Sequence, residues 1–275
     1  MLHTRKEQME AFGRFLDILD ELREKCPWDR KQTNESLRPN TIEETYELCD
    51  ALIRDDKNDI CKELGDVLLH VAFYAKIGSE KGDFDMKDVC DHLCEKLIFR
   101  HPHVFGEVTV DGTGQVLRNW DAIKRQTKGG KTQAELLGGV PRSLPALMRA
   151  AKVQNRAKRV GFDWSEISGA LDALESETAE FKEALASENP AAVEEELGDL
   201  LFSAVNVSRF LHIDAEQALT ASTDKFIRRF ARVEELAKSR EIDLAAASLE
   251  EMDALWDEAK RLDPREESTP LGYKK

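Results

Sequence analysis

Residues 43–75 read EETYELCDALIRDDKNDICKELGDVLLHVAFYA, and residues 176–208 repeat this segment after a shift of 133 positions. Ten of the 33 aligned positions carry the same residue without a gap, whereas unrelated sequences of ordinary composition would share about two. The identical pairs include Glu44 with Glu177 and Asp66 with Asp199. A repeat of this length predicts two tandem copies of one structural unit.

Acidic residues recur three positions apart in both copies. Residues at this spacing share one face of a helix, so four carboxylates converge in each copy if the two helices pair antiparallel across the short turn between them. Converging carboxylates repel one another strongly in a partly buried site unless a cation neutralises them. Mg²⁺ is the usual cation where phosphates complete the oxygen ligands. The predicted metal ligands are Glu44, Glu47, Glu63 and Asp66 in the first copy, and Glu177, Glu180, Glu196 and Asp199 in the second.

The alternative interpretation is a solvated acidic helix face. Acidic residues make up 54 of the 275 residues, so such pairs arise by chance. Two features argue against it: Gly65 and Gly198 lie inside the acidic pairs, and apolar residues from Leu64 to Val71 surround the first of them. Glycine in a helix costs about 0.5–1 kcal/mol relative to alanine, so we expect close helix packing or ligand approach at these positions.

The composition indicates an all-α protein. Hydrophobic residues make up 41% of the chain and charged residues 34%, which is typical of a globular chain. Glycine and proline are few and clustered, and no sustained alternation of apolar and polar residues predicts strands. We therefore expect an all-α fold of two tandem helical-bundle repeats.

A segment rich in glycine and proline separates the two copies. Gly129-Gly130, Gly138-Gly139 and Pro141 lie there among polar residues, which is typical of a connection between periodic segments. The expected boundaries are 1–128 for the first domain, 129–140 for the linker, 141–264 for the second domain and 265–275 for the tail.

The periodicity predicts four main helices and a shorter one in each copy. Thr41 is the expected N-cap of the first acidic helix, with Glu44 three residues on. Asp85 and Asn189, which precedes Pro190, are expected caps further along. The expected ranges are 5–25, 41–55, 58–79, 86–100 and 115–125, and then 144–159, 167–187, 190–210, 214–239 and 249–261.

The net charge of −14 disfavours binding to a nucleic-acid backbone or to an anionic membrane. No apolar run is long enough to span a membrane. Five cysteines without paired spacing favour reduced thiols, and hence a cytoplasmic location. The expected partners therefore include neither nucleic acid nor a membrane.

The acidic motifs resemble a known family signature. EETYE at 43–47 followed by ELGD at 63–66 is similar to the MazG signature of Glu-Glu-x-x-Glu and then Glu-x-x-Asp. Four further segments are similar to two-domain bacterial MazG proteins, so that the resemblance extends to about residue 262. It implies an all-α, Mg²⁺-dependent nucleoside triphosphate pyrophosphohydrolase that works as a homodimer, with the better-attested active site in the second copy. The four segments are CPWD at 26–29, RHPHVF at 100–105, PRSLPAL at 141–147 and VGFDW at 160–164.

The resemblance also implies residue roles. The second-copy carboxylates Glu177, Glu180, Glu196 and Asp199 match the catalytic metal ligands. Lys225 and Arg229 match a basic pair that grips the triphosphate, and Trp256 matches an aromatic residue at the nucleotide. The sequence departs from the signature at Ser176, where the first copy keeps Glu43, which puts a role for that outermost position in doubt.

The residues themselves leave some of these roles open. Lys225 and Arg229 share one helix face and suit a phosphate, although a solvated face has the same spacing. Trp256, like Trp120 in the first copy, either stacks on a base or holds the last helix to the core. Asn206 follows Asp199 by two helical turns and is either a nucleotide-binding or a structural residue.

Metal-assisted hydrolysis of NTPs to NMP and pyrophosphate is the predicted reaction. No base-reading motif is identifiable, so we expect a broad substrate range. A di-iron bundle is disfavoured because neither Glu63 nor Glu196 is followed by histidine at the third position. A non-catalytic helical module that binds nucleotides or partner proteins remains an alternative for the first copy.

Overall fold

The computed structural model describes residues 2–112, 114–116, 119, 123 and 132–262. The chain divides into two compact units, Met1–Gly129 (unit 1) and Gly130–Lys275 (unit 2). The described residues form helices and turns and contain no strand, which confirms the all-α prediction. None of the described helices is long and apolar enough to cross a membrane. Trp120, Lys124 and the tail from residue 263 lie outside the described residues, as does most of the helix expected at 115–125.

Unit 1 is built around a pair of long helices, α2 and α3, which pack along each other. A two-residue turn joins them, with Asp55 in the left-handed region at φ 51°. Asp56 then caps α3, because its Oδ1 accepts from the backbone N–H groups of Asn58 and Asp59 at 3.0 and 3.1 Å. The short turn makes the two helices antiparallel. The helices of the unit are α1 (Arg5–Lys25), α2 (Asn34–Arg54), α3 (Lys57–Lys81), α4 (Met86–Arg100) and α5 (Pro102–Phe105), with a 3₁₀ turn at Asp29–Lys31.

The core of unit 1 lies where α1, α2 and α3 meet. Its buried residues are apolar and come from all three helices, and Phe15, Leu16, Leu69, Tyr74 and Met86 pack around them. Gly78 on α3 allows the Phe84 ring to lie against the helix, since a Cβ at position 78 would be only 2.8 Å from that ring. The predicted cap Asp85 then begins α4. The buried core residues are Leu19, Leu37, Ala72, Phe73 and Ile77.

The predicted start of α2 at Thr41 is wrong. The helix begins at Asn34, capped by Thr33 in a capping box with Ser36, and it continues through Pro39. Burial of Leu37 in the core stabilises the helical turn that precedes the proline. Thr41 instead lies inside the helix, where its hydroxyl donates to the Leu37 carbonyl at 3.0 Å.

Unit 2 repeats the antiparallel pair as α8 and α9, which also pack along each other. Glu188 takes the left-handed conformation in the turn, at φ 53°. Asn189 caps α9 with Pro190 at its first position, because its Oδ1 accepts from the N–H of Ala191 at 3.1 Å. This start was predicted from the sequence. The helices of the unit are α6 (Gln133–Gly138), α7 (Ala146–Lys158), α8 (Ile167–Ala186), α9 (Pro190–Phe210), α10 (Ala215–Ser239) and α11 (Leu249–Leu262).

The last two helices of unit 2 form a small apolar core of their own. Val233 and Ala237 on α10 are buried against Leu255 and Ala259 on α11. Helix α10 also contacts α7 and α9. This core therefore holds α11 to α10, and α10 in turn contacts the helix that carries Glu196 and Asp199.

The acidic helices leave one apolar face open in both units. Leu64 on α3, which belongs to the apolar stretch around Gly65 in the sequence, is 53% exposed, and Leu201 on α9 is 51% exposed. A Cβ at Gly65 or Gly198 would have no neighbouring heavy atom within 4 Å in the described parts of the chain. The expected close helix packing at the glycines is therefore absent within these parts of the chain, and a second molecule has room to approach.

Candidate metal centres

Three carboxylates come together in unit 1. One oxygen atom from each of Glu44, Glu63 and Asp66 lies within 4.8 Å of the others, and we call these residues the acidic cluster of unit 1. Glu44 comes from α2 and the other two come from α3. The antiparallel pairing across the Asp55 turn places the two helices so that their acidic positions face each other.

Unit 2 holds the matching cluster. Oxygen atoms of Glu177 on α8 and of Glu196 and Asp199 on α9 also lie within 4.8 Å of one another. We call these residues the acidic cluster of unit 2. They occupy the positions that the 133-residue shift assigns to the first cluster, so the same local sequence produces the same arrangement twice.

The fourth predicted carboxylate in each unit lies outside these groups of three oxygen atoms. Its charge nevertheless reaches the cluster. Glu47 adds to the factors that raise the pKa of Glu44, and Glu180 helps to raise the pKa of both Glu177 and Glu196. Glu47 and Glu180 therefore lie beside the clusters, and their role as metal ligands stays a prediction.

Three of the clustered carboxylates, Glu44, Glu177 and Glu196, are electrostatically disfavoured as anions. Burial raises the pKa of Glu44, Glu177 and Glu196, and the charges of the neighbouring carboxylates raise each pKa further. The groups are only partly withdrawn from water, since Asp199 is exposed. Each cluster therefore favours the binding of a proton or a cation.

Glu63 is the most deeply buried of these residues, with 3% of its surface exposed. Its Oε1 accepts from Lys62 Nζ at 2.7 Å, and its Oε2 has no hydrogen-bond partner among the described residues. Buried polar atoms are nearly always satisfied in native proteins. An unpartnered carboxylate oxygen beside two other carboxylates fits a hard divalent cation, which takes oxygen ligands.

Asn206 is buried on α9, and its side chain is already engaged. Its Oδ1 accepts from Arg209 Nε at 2.9 Å and from Arg209 Nη2 at 2.6 Å. Arg209 in turn pairs with Asp163, which lies in the loop before α8. These contacts account for the structural role that the sequence left open, and the Asn206 amide nitrogen remains as the group that can donate to a ligand.

The Asp163–Arg209 pair was missed at the level of sequence. Asp163 lies inside the VGFDW motif, and Arg209 follows Asn206 by three positions on the same helix. Both residues are charged, but no spacing rule predicts an ion pair between positions that are 46 residues apart. Only the packing of the loop on α9 brings them together.

Trp256 is half-buried on α11 and packs against the small apolar core of unit 2. Its ring centroid lies 5.0 Å from that of Phe226 on α10, within the range of favourable aromatic pairs. The contact holds α11 to α10, in agreement with the interpretation that Trp256 attaches the last helix to the core. A role at the nucleotide base remains a prediction.

Lys225 and Arg229 lie on α10, outside the helix pair that carries the acidic cluster of unit 2. Lys225 is exposed and Arg229 is half-buried. Helix α10 contacts α7, α9 and α11. The basic pair therefore belongs to a helix that contacts α9, and its binding to phosphate remains a prediction.

Comparison with known proteins shows that each acidic cluster lies in its own copy of the same family domain. The family model described as the MazG nucleotide pyrophosphohydrolase domain matches residues 32–105 and again residues 166–233. Each matched segment contains one complete cluster. The two matches also cover the helix pairs α2–α3 and α8–α9.

Several curated proteins are similar to nearly the whole chain. The nucleoside triphosphate pyrophosphohydrolase of Escherichia coli K12 is 42% identical over 258 residues, which cover 92% of this chain and 98% of that protein. The nucleoside triphosphate pyrophosphohydrolase/pyrophosphatase MazG of Thermotoga maritima is 46% identical over 259 residues, covering 93% and 98%. The uncharacterized protein YabN of Bacillus subtilis is 46% identical over 258 residues, covering 92% of this chain and 52% of that protein.

Proposed function

This chain belongs to the MazG nucleotide pyrophosphohydrolase family, and from that membership we propose that it hydrolyses nucleoside triphosphates to the monophosphate and pyrophosphate with Mg²⁺ as cofactor. The observation that carries the proposal is the convergence of Glu177, Glu196 and Asp199, whose oxygen atoms lie within 4.8 Å of one another. These are the oxygen ligands that a phosphate-bound Mg²⁺ requires.

The acidic cluster of unit 2 has the chemistry of a metal-assisted hydrolase. A divalent cation held there supplies positive charge against the phosphoryl oxygens and a water of lowered pKa. Glu177, Glu196 and Asp199 are the residues that would hold it. One of the four predicted carboxylates of this unit would accept the proton from the attacking water.

Positive charge for the leaving pyrophosphate comes from the neighbouring helices. Lys225 and Arg229 on α10 carry the charges that we assign to this task, because pyrophosphate gains negative charge as the bond breaks. Arg149 lies on α7, a helix that packs against α9, and adds a further positive charge beside the helix that carries Glu196 and Asp199. These positions support the proposal that unit 2 carries out the reaction.

We also propose that the protein is a homodimer. Leu64, Leu68 and Val71 form an exposed apolar stripe on α3, and Leu197, Leu201 and Phe202 form a similar stripe on α9. Exposed apolar patches of this kind are usually covered by a partner. The open space above Gly65 and Gly198 leaves room for a helix of a second copy, and most homo-oligomers are symmetric dimers.

The expected substrates are nucleoside triphosphates in general, since the carboxylates of the acidic clusters suit a metal ion and no base-reading motif is identifiable in the sequence. We expect a cytoplasmic location because the five cysteines, all within the described residues, form no disulfide.

A panel of canonical, deoxy and oxidised NTPs tests the proposed function. Each is incubated with the intact chain in Mg²⁺ and in excess chelator, and the products are separated by ion-exchange chromatography. NMP and pyrophosphate are expected with Mg²⁺ only. NDP and phosphate as products, or equal turnover in chelator, would refute the proposal. Glu196→Gln serves as the inactive variant, and Glu194→Gln, an exposed carboxylate of the same helix, serves as the matched control.

A further inference from the structure

The acidic cluster of unit 1 contains a cation of its own. Lys62 precedes Glu63 on α3, and its Nζ donates to Glu63 Oε1 at 2.7 Å. The same nitrogen lies 3.9 Å from Asp66 Oδ2. The ammonium therefore contacts two of the three clustered carboxylates, and its charge partly offsets the rise in the pKa of the third, Glu44.

The acidic cluster of unit 2 has no such lysine at the matching position. The shift that aligns Glu63 with Glu196 aligns Lys62 with Glu195. Glu195 contributes a further negative charge, which acts on Glu196 in the direction opposite to that of Lys62 on Glu44. The two clusters are otherwise alike in residue type, so this one position separates them by two unit charges.

Glu63 supplies independent evidence that the cluster of unit 1 faces a ligand. It is almost fully buried, and its Oε2 remains without a hydrogen-bond partner in the described part of the chain. Lys62 satisfies only the other oxygen, Oε1. A divalent cation in this cluster would therefore find one carboxylate oxygen open and one already bound to an ammonium.

We propose that Lys62 is a built-in competitor for the cation and makes unit 1 the weaker divalent-metal site of the two. The inference rests on the proposed metal dependence and adds the residue that sets the difference between the units. Binding of a metal ion to Glu63 through Oε1 requires the ammonium to move away, and a nearby positive charge disfavours a divalent cation even without direct contact. Unit 1 then binds metal-associated nucleotides weakly or at high metal concentration, while unit 2 is occupied first.

The size of the effect follows from the charges. Reversing one side-chain charge close to a divalent cation changes the affinity at least about tenfold, even when solvent and salt screen the interaction. We therefore expect Lys62→Glu to strengthen the weaker site by at least this factor. Glu195→Lys, the reciprocal change, is expected to weaken the stronger site by a similar factor. Lys62→Gln, which removes the ammonium without adding a carboxylate, should have an intermediate effect.

Titration of the intact chain with Mn²⁺, followed by the electron paramagnetic resonance signal of the free ion, tests the proposal without an activity measurement. The wild type should show a tighter and a weaker class of site. Glu196→Gln should remove the tighter class and Glu63→Gln the weaker one, which assigns each class to its unit. Lys81→Glu, an exposed lysine in the last turn of α3, changes the net charge by the same amount about 28 Å along the helix from Lys62 and controls for long-range charge. Circular dichroism verifies that each variant keeps its helical content.

Three outcomes decide the matter. A tenfold or greater gain at the weaker site in Lys62→Glu, absent in Lys81→Glu, supports the role of Lys62. If Mn²⁺ binds but Lys62→Glu and Lys62→Gln leave both dissociation constants within about twofold of the wild type, this inference fails while the proposed function stands. If neither the wild type nor any variant binds Mn²⁺, both the inference and the proposed metal dependence fail.

Discussion

Arg209 and Asp163 form the best-buried ion pair in the described part of unit 2, with Arg209 Nη1 donating to Asp163 Oδ2 at 3.0 Å. Their side chains are 7% and 12% exposed. The same guanidinium donates to Asn206 Oδ1, so one arginine connects the loop of the VGFDW motif to the helix that carries Glu196 and Asp199. The loop and the metal helix are thereby held in one arrangement.

Loss of this pair should destabilise unit 2. Arg209→Gln leaves Asp163 without its partner in a poorly solvated position, and breaking a buried pair typically costs about 3–5 kcal/mol. Hydrogen bonding to Arg209 lowers the pKa of Asp163, so the stabilisation is present above the unfolded-state pKa and is lost as the pH falls through the lowered native value. Urea unfolding at pH 7 and at pH 3 measures both effects. Arg232→Gln, which removes an exposed ion pair with Glu235, is the control, and an equal loss in both variants would contradict the structural role of Arg209.

Glu196→Gln should abolish most turnover, and Glu63→Gln should reduce it less. Both replacements preserve side-chain size but remove a metal-binding carboxylate, and loss of one such group from a catalytic centre costs at least about 100-fold in rate. Steady-state kinetics at saturating Mg²⁺ compares the two variants with Glu194→Gln. Equal and near-total loss from both cluster variants points to coupled sites, and greater loss from Glu63→Gln reverses the assignment of catalysis to unit 2.

The metal-free protein should become more stable when Glu196 is replaced by glutamine at neutral or alkaline pH. Burial and the charges of Glu180 and Asp199 raise the pKa of Glu196. A group with a raised native pKa binds its proton more tightly in the folded state, so its ionisation reduces the free energy of unfolding as the pH rises above the unfolded-state pKa. We expect a higher melting temperature for the variant at pH 8 in chelator and no difference at pH 4. Addition of Mg²⁺ at pH 8 should stabilise the wild type more than the variant. An equal melting temperature of the two proteins in chelator at both pH values would show that the carboxylates do not repel one another in the cluster.

Lys225→Ala should lower kcat/KM for NTPs by about tenfold or more, since it removes a charge that faces the triphosphate in the proposed function. Lys238→Ala, on the same helix but near its C-terminus, is the matched control. The comparison is made with one NTP at several ionic strengths, because a screened long-range effect declines with salt whereas a direct phosphate contact persists. An unchanged kcat/KM in Lys225→Ala removes this residue from the proposed site.

Light scattering coupled to size exclusion should return about twice the chain mass of 31.2 kDa at micromolar concentration. The exposed apolar stripes on α3 and α9 provide the surface that a second copy would bury. Leu201→Glu should shift the protein toward the monomer, whereas Leu249→Glu, at the exposed start of α11, should not. A wild type that elutes as a stable monomer contradicts the dimer proposal.

Features that depend on neighbouring residues along the chain could be predicted from the sequence. The tandem repeat, the helical character of each segment and the caps at Asp85 and Asn189 all follow from spacings of a few residues, and the structure contains each of them. The approach of Glu177 to Glu196 and Asp199 was also predictable. A short turn between two long helices allows only an antiparallel pair, so helical periodicity alone determines which faces meet.

Other features were decided by contacts between distant parts of the chain. Helix α2 extends through Pro39 because Leu37 is buried against α1 and α3, and Asn206 is engaged by Arg209, which a loop 46 residues away holds in place. Leu64 and Leu201 are exposed although they are apolar, because no described element covers the exposed part of these side chains. Periodicity shows which residues share a helix face, but the burial of that face depends on which element packs against it, and only the tertiary structure determines that.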